Sequence, residues 1–109
     1  MALYHTTDAD GISEICPDPR RMHEIIAQLD HSDSSDNDHP DISLVHDESG
    51  WSLSLFPSGI ALWENLDQSD TDTRYIQNVS REKAHELWIK LSRGELGAIE
   101  GEPWESQMG

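Results

Sequence analysis

Two spacings of apolar residues alternate along this chain. Met22, Ile25, Ile26 and Leu29 fall at i, i+3, i+4 and i+7, which predicts one apolar stripe on a helix. Asp18 is placed to cap that helix, and Pro19 fits its first position, where a missing N–H costs nothing. Ala84, Leu87, Trp88 and Leu91 repeat the stripe after Ser80, the predicted cap of a second helix. Glu86 and Lys90 form a favourable i, i+4 pair on it, and Gly94 can end it in a left-handed conformation. Leu96, Ala98 and Ile99 add one further helical turn before Pro103 and Trp104.

Between the helices the period changes to two. In Asp41–Asp47, Ile42 and Leu44 lie on one face and Ser43 and Val45 on the other. Glu48, Ser49 and Gly50 make a short turn. In Trp51–Phe56, Trp51, Leu53 and Leu55 alternate with Ser52 and Ser54, and Pro57, Ser58 and Gly59 make a second turn. Ile60–Leu66 sets Ile60 and Leu62 against Ala61 and Trp63, and Thr73–Val79 sets Tyr75 and Val79 against Ile76. Short turns between consecutive strands imply an antiparallel meander.

The predicted fold is α+β: a four-stranded antiparallel meander sheet with an N-terminal and a C-terminal helix packed on one face. With Ile60 and Leu62 turned inward, the other face holds Val45, Ser52, Ser54, Phe56, Ala61, Trp63 and Ile76. Residues 1–17 read as a short strand over Ala2–Thr7 and a turn from Asp8 to Gly11. Residues 1–109 form a single small acidic domain, with a flexible acidic loop at 31–40 and a frayed tail at 105–109.

Charge sharpens this picture. The formal net charge is -15, from 7 cations and 22 acids. Between Met22 and Thr73 there are twelve acids and no Lys or Arg. Such a chain is ill suited to nucleic acid or an anionic membrane, because phosphate contacts need cations. It suits a basic protein partner, whose approach a long-range field would accelerate. No apolar run reaches the length of a spanning helix, no signal peptide is visible, and the one cysteine, Cys16, cannot form an internal disulfide. Those three features point to a cytoplasmic protein.

Candidate chemistry is thin. His23-Glu24 and His85-Glu86 lack the second histidine four residues on that a zincin helix needs; Ala27 and Ile89 stand there. The acids of 30–41 are crowded as a hard cation requires, yet no glycine follows in the calcium-loop pattern. Asp8, Asp10 and Gly11 carry a fragment of that pattern, with Pro17 where its bidentate glutamate belongs. Cys16 has Arg20 and Arg21 near in sequence but no nucleophile context. Glu64, beside Trp63, is the single acid whose burial would make it a candidate acid–base group. No phosphate-binding glycine loop or nucleophile elbow is present.

The reading is an acidic protein-binding module, of the inhibitor or immunity type, for a basic partner, with no catalytic residue, metal or cofactor. Its predicted contact residues are Val45, Phe56, Trp63, Asp67, Asp70 and Asp72. A self-associating structural or regulatory domain, monomer or homodimer, is the first alternative. A metal-dependent enzyme using Asp and His is the second. Trp63, Phe56 and Val45 form an exposed aromatic patch on that outer face, or a terminal segment, 1–17 or 95–109, covers the face.

Overall fold

The computed structural model describes residues 3–8, 11–31, 41–66 and 73–106. The acidic segment 32–40, Asp67, Asp70, Asp72 and residues 107–109 lie outside them. Ten elements follow in order: β1 (Tyr4–Thr7), β2 (Ser13–Ile15), α1 (Pro19–His31), β3 (Ile42–His46), β4 (Trp51–Leu55), β5 (Ala61–Asn65), β6 (Arg74–Ile76), α2 (Arg81–Ser92), α3 (Leu96–Glu100) and β7 (Glu105–Ser106). The fold is α+β, and every strand pairing is antiparallel.

The expected meander is the centre of a larger sheet. Among the described residues the strand order is β2-β1-β3-β4-β5-β6-β7, seven strands rather than four. The N-terminal hairpin adds two strands beside β3. Its turn closes with Gly11 N–H donating to the Asp8 carbonyl and Ile12 N–H donating to the Asp8 carboxylate at 2.9 Å. Glu105 and Ser106, expected to fray, pair with Tyr75 and Arg74 as the last strand.

The helices begin where their caps stand. Arg21 N–H donates to Asp18 Oδ1 at 2.8 Å, and Lys83 N–H donates to Ser80 Oγ at 3.0 Å. Each bond satisfies one donor that a first turn leaves without a partner. Gly94, at φ 74°, ends α2 in the left-handed region. Met22, Ile25, Ile26 and Leu29 of α1 and Ala84, Leu87, Trp88 and Leu91 of α2 are all buried in one apolar cluster. Ile42, Leu44, Leu53, Leu55, Ala61 and Trp63 complete it from the sheet. The buried Trp88 indole donates to the Leu53 carbonyl at 3.2 Å, so its one polar atom is satisfied inside the core.

The register corrects the expected phase of β5. Leu55 stands opposite Ala61, and Leu53 opposite Trp63. Directly opposed residues of an antiparallel pair project to the same side. Ala61 and Trp63 therefore join Leu53 and Leu55 on the core face, and Trp63 is 0% exposed. Ile76, opposite Ala61, follows them. Both faces of β5 are apolar, so alternation alone does not select one, and a one-residue change of register exchanges them all.

The C-terminal segment covers Trp63. Its ring stacks on Trp51 at 4.4 Å and faces Trp104 at 5.9 Å. Its indole N–H donates to Glu100 Oε1 at 3.0 Å, and the Trp104 indole donates to the Ile99 carbonyl at 2.7 Å. Arg74 closes the arrangement, with its guanidinium 5.8 Å from the Trp51 ring and an ion pair to Glu100 at 2.9 Å. That pair holds the Glu100 carboxyl below its ordinary range, against the opposing effect of partial burial.

Candidate functional site

The same register defines the outer face. His5, Thr7, Ser13 and Ile15 occupy it on the first hairpin, followed by Ser43 and Val45 on β3 and Ser52 and Ser54 on β4. Leu62 and Glu64 continue it on β5, then Tyr75 on β6 and Glu105 on β7. Hydroxyls dominate the middle of this face. Ser13, Thr7, Ser43 and Ser54 lie in one row across four neighbouring strands, and Thr7 Oγ1 and Ser13 Oγ are 3.4 Å apart. Ser52 and Ser54 are buried. Their side chains are short, and Val45 with Glu64, and Ser43 with Leu62, flank them in the register.

Beyond the hydroxyls the face turns apolar. Phe56, Ile60, Leu62 and Tyr75, all half-buried, line a groove of about 280 Å³ among the described residues. Phe56 N–H donates to the Ile60 carbonyl at 2.9 Å and Gly59 N–H to the Phe56 carbonyl at 3.0 Å, which folds this turn back as one wall. Gly59 has φ 91°, a conformation that a side chain at this position would strain. At the opposite edge of the sheet Ile15 is 80% exposed.

Charge is divided between the two sides. Of the seven cations, Arg20, Arg21, Arg81, Lys83, Lys90 and Arg93 are on α1 and α2 or at the end of α2. The seventh, Arg74, stands opposite Trp63 on the core face. No outer-face strand position carries Lys or Arg. Among the described residues five of the seven are engaged in ion pairs: Arg21 with Glu14 and Glu24, Arg74 with Glu100, Arg81 with Asp30, Lys83 with Glu102, and Lys90 with Glu86. Arg81 comes nearest the groove. Its guanidinium donates to the Pro57 carbonyl at 3.0 Å while pairing with Asp30, so it braces the turn. Among the described residues Glu64 and Glu105 are the acids at outer-face strand positions, and Asp47 borders the face, paired with His5.

Of the predicted contact residues, Val45 and Phe56 are half-buried on the outer side. Trp63 does not join them; it is buried on the core face under the C-terminal segment. Asp67, Asp70 and Asp72 lie outside the described residues. Ile60, Leu62 and Tyr75 replace Trp63 as the apolar surface. A signal for this was present in the sequence: Glu64 is in phase with Leu62, and an acid on that phase turns it toward water.

The remaining candidates stay apart. Among the described residues no three His, Cys, Asp or Glu side chains gather as a metal would require. His23 and His85 meet edge to face at 5.5 Å across α1 and α2, and His85 Nε2 lies 2.6 Å from the Pro19 carbonyl, a bond between segments. Cys16 is exposed, at φ 50°, and its N–H donates to the Tyr4 carbonyl. Glu64 is half-buried and accepts from Thr73 Oγ1 at 3.3 Å. His5 Nδ1 pairs with Asp47 at 2.8 Å on a half-exposed surface. Among the described residues no helix is long and apolar enough to cross a membrane.

No family model, curated protein or solved structure matches this chain.

Proposed function

We propose that this protein is an acidic binding module for a basic protein partner, of the inhibitor or immunity type, and that the outer sheet face is its contact surface. The observation that supports this is the division of charge. All seven cations lie on the helices or the core face, most of them in ion pairs, and the outer face presents hydroxyls, an apolar groove, Glu64 and Glu105. A net charge of -15 supplies the long-range attraction, and a cation-free face directs it. An apolar centre bordered by charge is the arrangement that specific interfaces use. The module performs no catalysis in this reading; it occupies a surface of its partner.

Affinity capture tests this. Three baits are used: the wild-type chain, an outer-face variant (Glu64→Lys with Glu105→Lys), and a helix-side variant (Glu82→Lys). Source lysate is bound at low salt and eluted with a salt gradient. The expected result is one basic protein held in stoichiometric amount by the wild type and the helix-side variant, and lost by the outer-face variant. Capture of no basic protein, or equal capture by all three baits, refutes the reading.

A further inference from the structure

We infer that the groove lined by Phe56, Ile60, Leu62 and Tyr75 is an anchor pocket for one bulky apolar side chain of the partner, carried on a segment with Lys or Arg beside it. This rests on the proposal that the partner is basic, and it names the recognition element. The groove, about 280 Å³ and open to solvent, is at the lower limit of sites that enclose a whole small molecule, about 300–1,000 Å³. It is suited to a single aromatic, leucine or methionine side chain. Tyr75 carries the one polar side-chain group among its four lining residues, so the groove selects for apolar bulk and not for a hydrogen-bonding pattern.

The acids border it at a useful range. Glu64 is two residues along β5 from Leu62 on the same face, about 7 Å away by strand geometry. Glu105 is directly opposite Tyr75 on the neighbouring strand, about 5 Å away. A cationic side chain next to the anchor reaches either carboxylate while the anchor fills the groove. Anchors of this type carry most of the energy of an interface, and charges at the rim set its encounter rate. An anionic ligand is disfavoured, because no strand position beside the groove carries Lys or Arg, and Arg81, at the Phe56–Pro57 turn, is already paired with Asp30. A second copy of this chain is disfavoured for the same reason. It would bring its own Glu64 and Glu105 against the first pair in a symmetric contact.

The test uses the full chain and three synthetic peptides, Lys-Lys-Trp-Lys-Lys, Lys-Lys-Gly-Lys-Lys and Glu-Glu-Trp-Glu-Glu, by titration calorimetry at low salt. The basic tryptophan peptide is expected to bind at least about tenfold tighter than the glycine peptide, as loss of an interface anchor implies. Leu62→Ser and, independently, Tyr75→Ser erase that difference while leaving the circular dichroism spectrum unchanged. Glu64→Gln with Glu105→Gln weakens both basic peptides and flattens their salt dependence. Equal binding of the tryptophan and glycine peptides overturns the anchor and leaves the basic-partner reading standing. Binding of neither basic peptide overturns both. Equal binding of the acidic tryptophan peptide overturns the role of the two glutamates. A dimer in light scattering that Leu62→Ser dissociates assigns the groove to a second copy and overturns the proposal.

Discussion

Leu62 and Trp63 are neighbours in sequence, and the register sends them to opposite faces. Truncating each to alanine therefore reads the fold directly. Trp63 is fully buried, stacked on Trp51 and bonded to Glu100. Removing a buried tryptophan side chain costs about 3–5 kcal/mol, because neighbours only partly close the cavity. The lost ring stacking adds about 0.5–1.5 kcal/mol. Leu62 is half-buried on the outer side, so Leu62→Ala forfeits only part of a side-chain burial, about 1 kcal/mol. With a urea slope of about 1.5 kcal/mol per M, Trp63→Ala lowers the unfolding midpoint by about 3 M and Leu62→Ala by about 0.7 M. The first loss is a large part of a domain's whole stability of about 5–15 kcal/mol. Far-UV circular dichroism is the readout, since one variant removes a fluorophore. Trp63→Phe provides an intermediate value if the alanine variant does not fold. A Leu62→Ala loss equal to or greater than that of Trp63→Ala would refute the register of β5, and with it the composition of the outer face.

Three further outcomes follow from single contacts. Ser80→Ala removes the cap of α2 and costs about 1 kcal/mol, seen as a lower melting temperature; an unchanged one contradicts the capping bond. Gly94→Ala forces a Cβ into the left-handed region 3.3 Å from His46 Nε2 and costs about 1–2 kcal/mol in thermal unfolding, whereas Gly97→Ala, with nothing within 4 Å, is neutral or stabilising. The carboxyl of Glu100 is held below its ordinary range by Arg74, so its contribution to stability is present above the unfolded-state value, about pH 4.3, and is lost as pH falls through the lower folded value. Urea midpoints measured from pH 7 down to pH 3 should show this loss, and Glu100→Gln should remove that part of the slope; identical pH profiles for the two chains contradict the Arg74–Glu100 link.

Much of the scaffold is legible in the sequence because local chemistry and long-range packing agree there. Asp18 with Pro19, and Ser80 with Gly94, mark helix ends that the structure uses, and the two apolar stripes are the buried ones. The four central strands follow alternation and short turns. Two kinds of information are missing from that pattern. β2 and β7 are three and two residues long, too short to show a period, and they exist because β1 and β6 offer edges to pair with. The phase of β5 depends on its register with β4 and not on its own composition, since Ile60 and Leu62 are as apolar as Ala61 and Trp63. The candidate face inherited that ambiguity. Val45, Phe56 and the serines are assignable from β3 and β4, while Ile60, Leu62 and Tyr75 follow from the register that buries Trp63 under Trp104 and Glu100, with Glu64 in the phase of Ile60 and Leu62 as the one local sign.

A basic partner docked on the outer sheet face leaves its footprint there. A backbone chemical-shift map of the isotopically labelled chain, titrated with the captured basic protein, tests it most directly. Shifts are expected to concentrate on the outer positions of β3 to β6, with Leu62, Glu64 and Tyr75 among the largest, and to be small along α1 and α2. Shifts concentrated on α1 and α2, with the outer face unmoved, would contradict it.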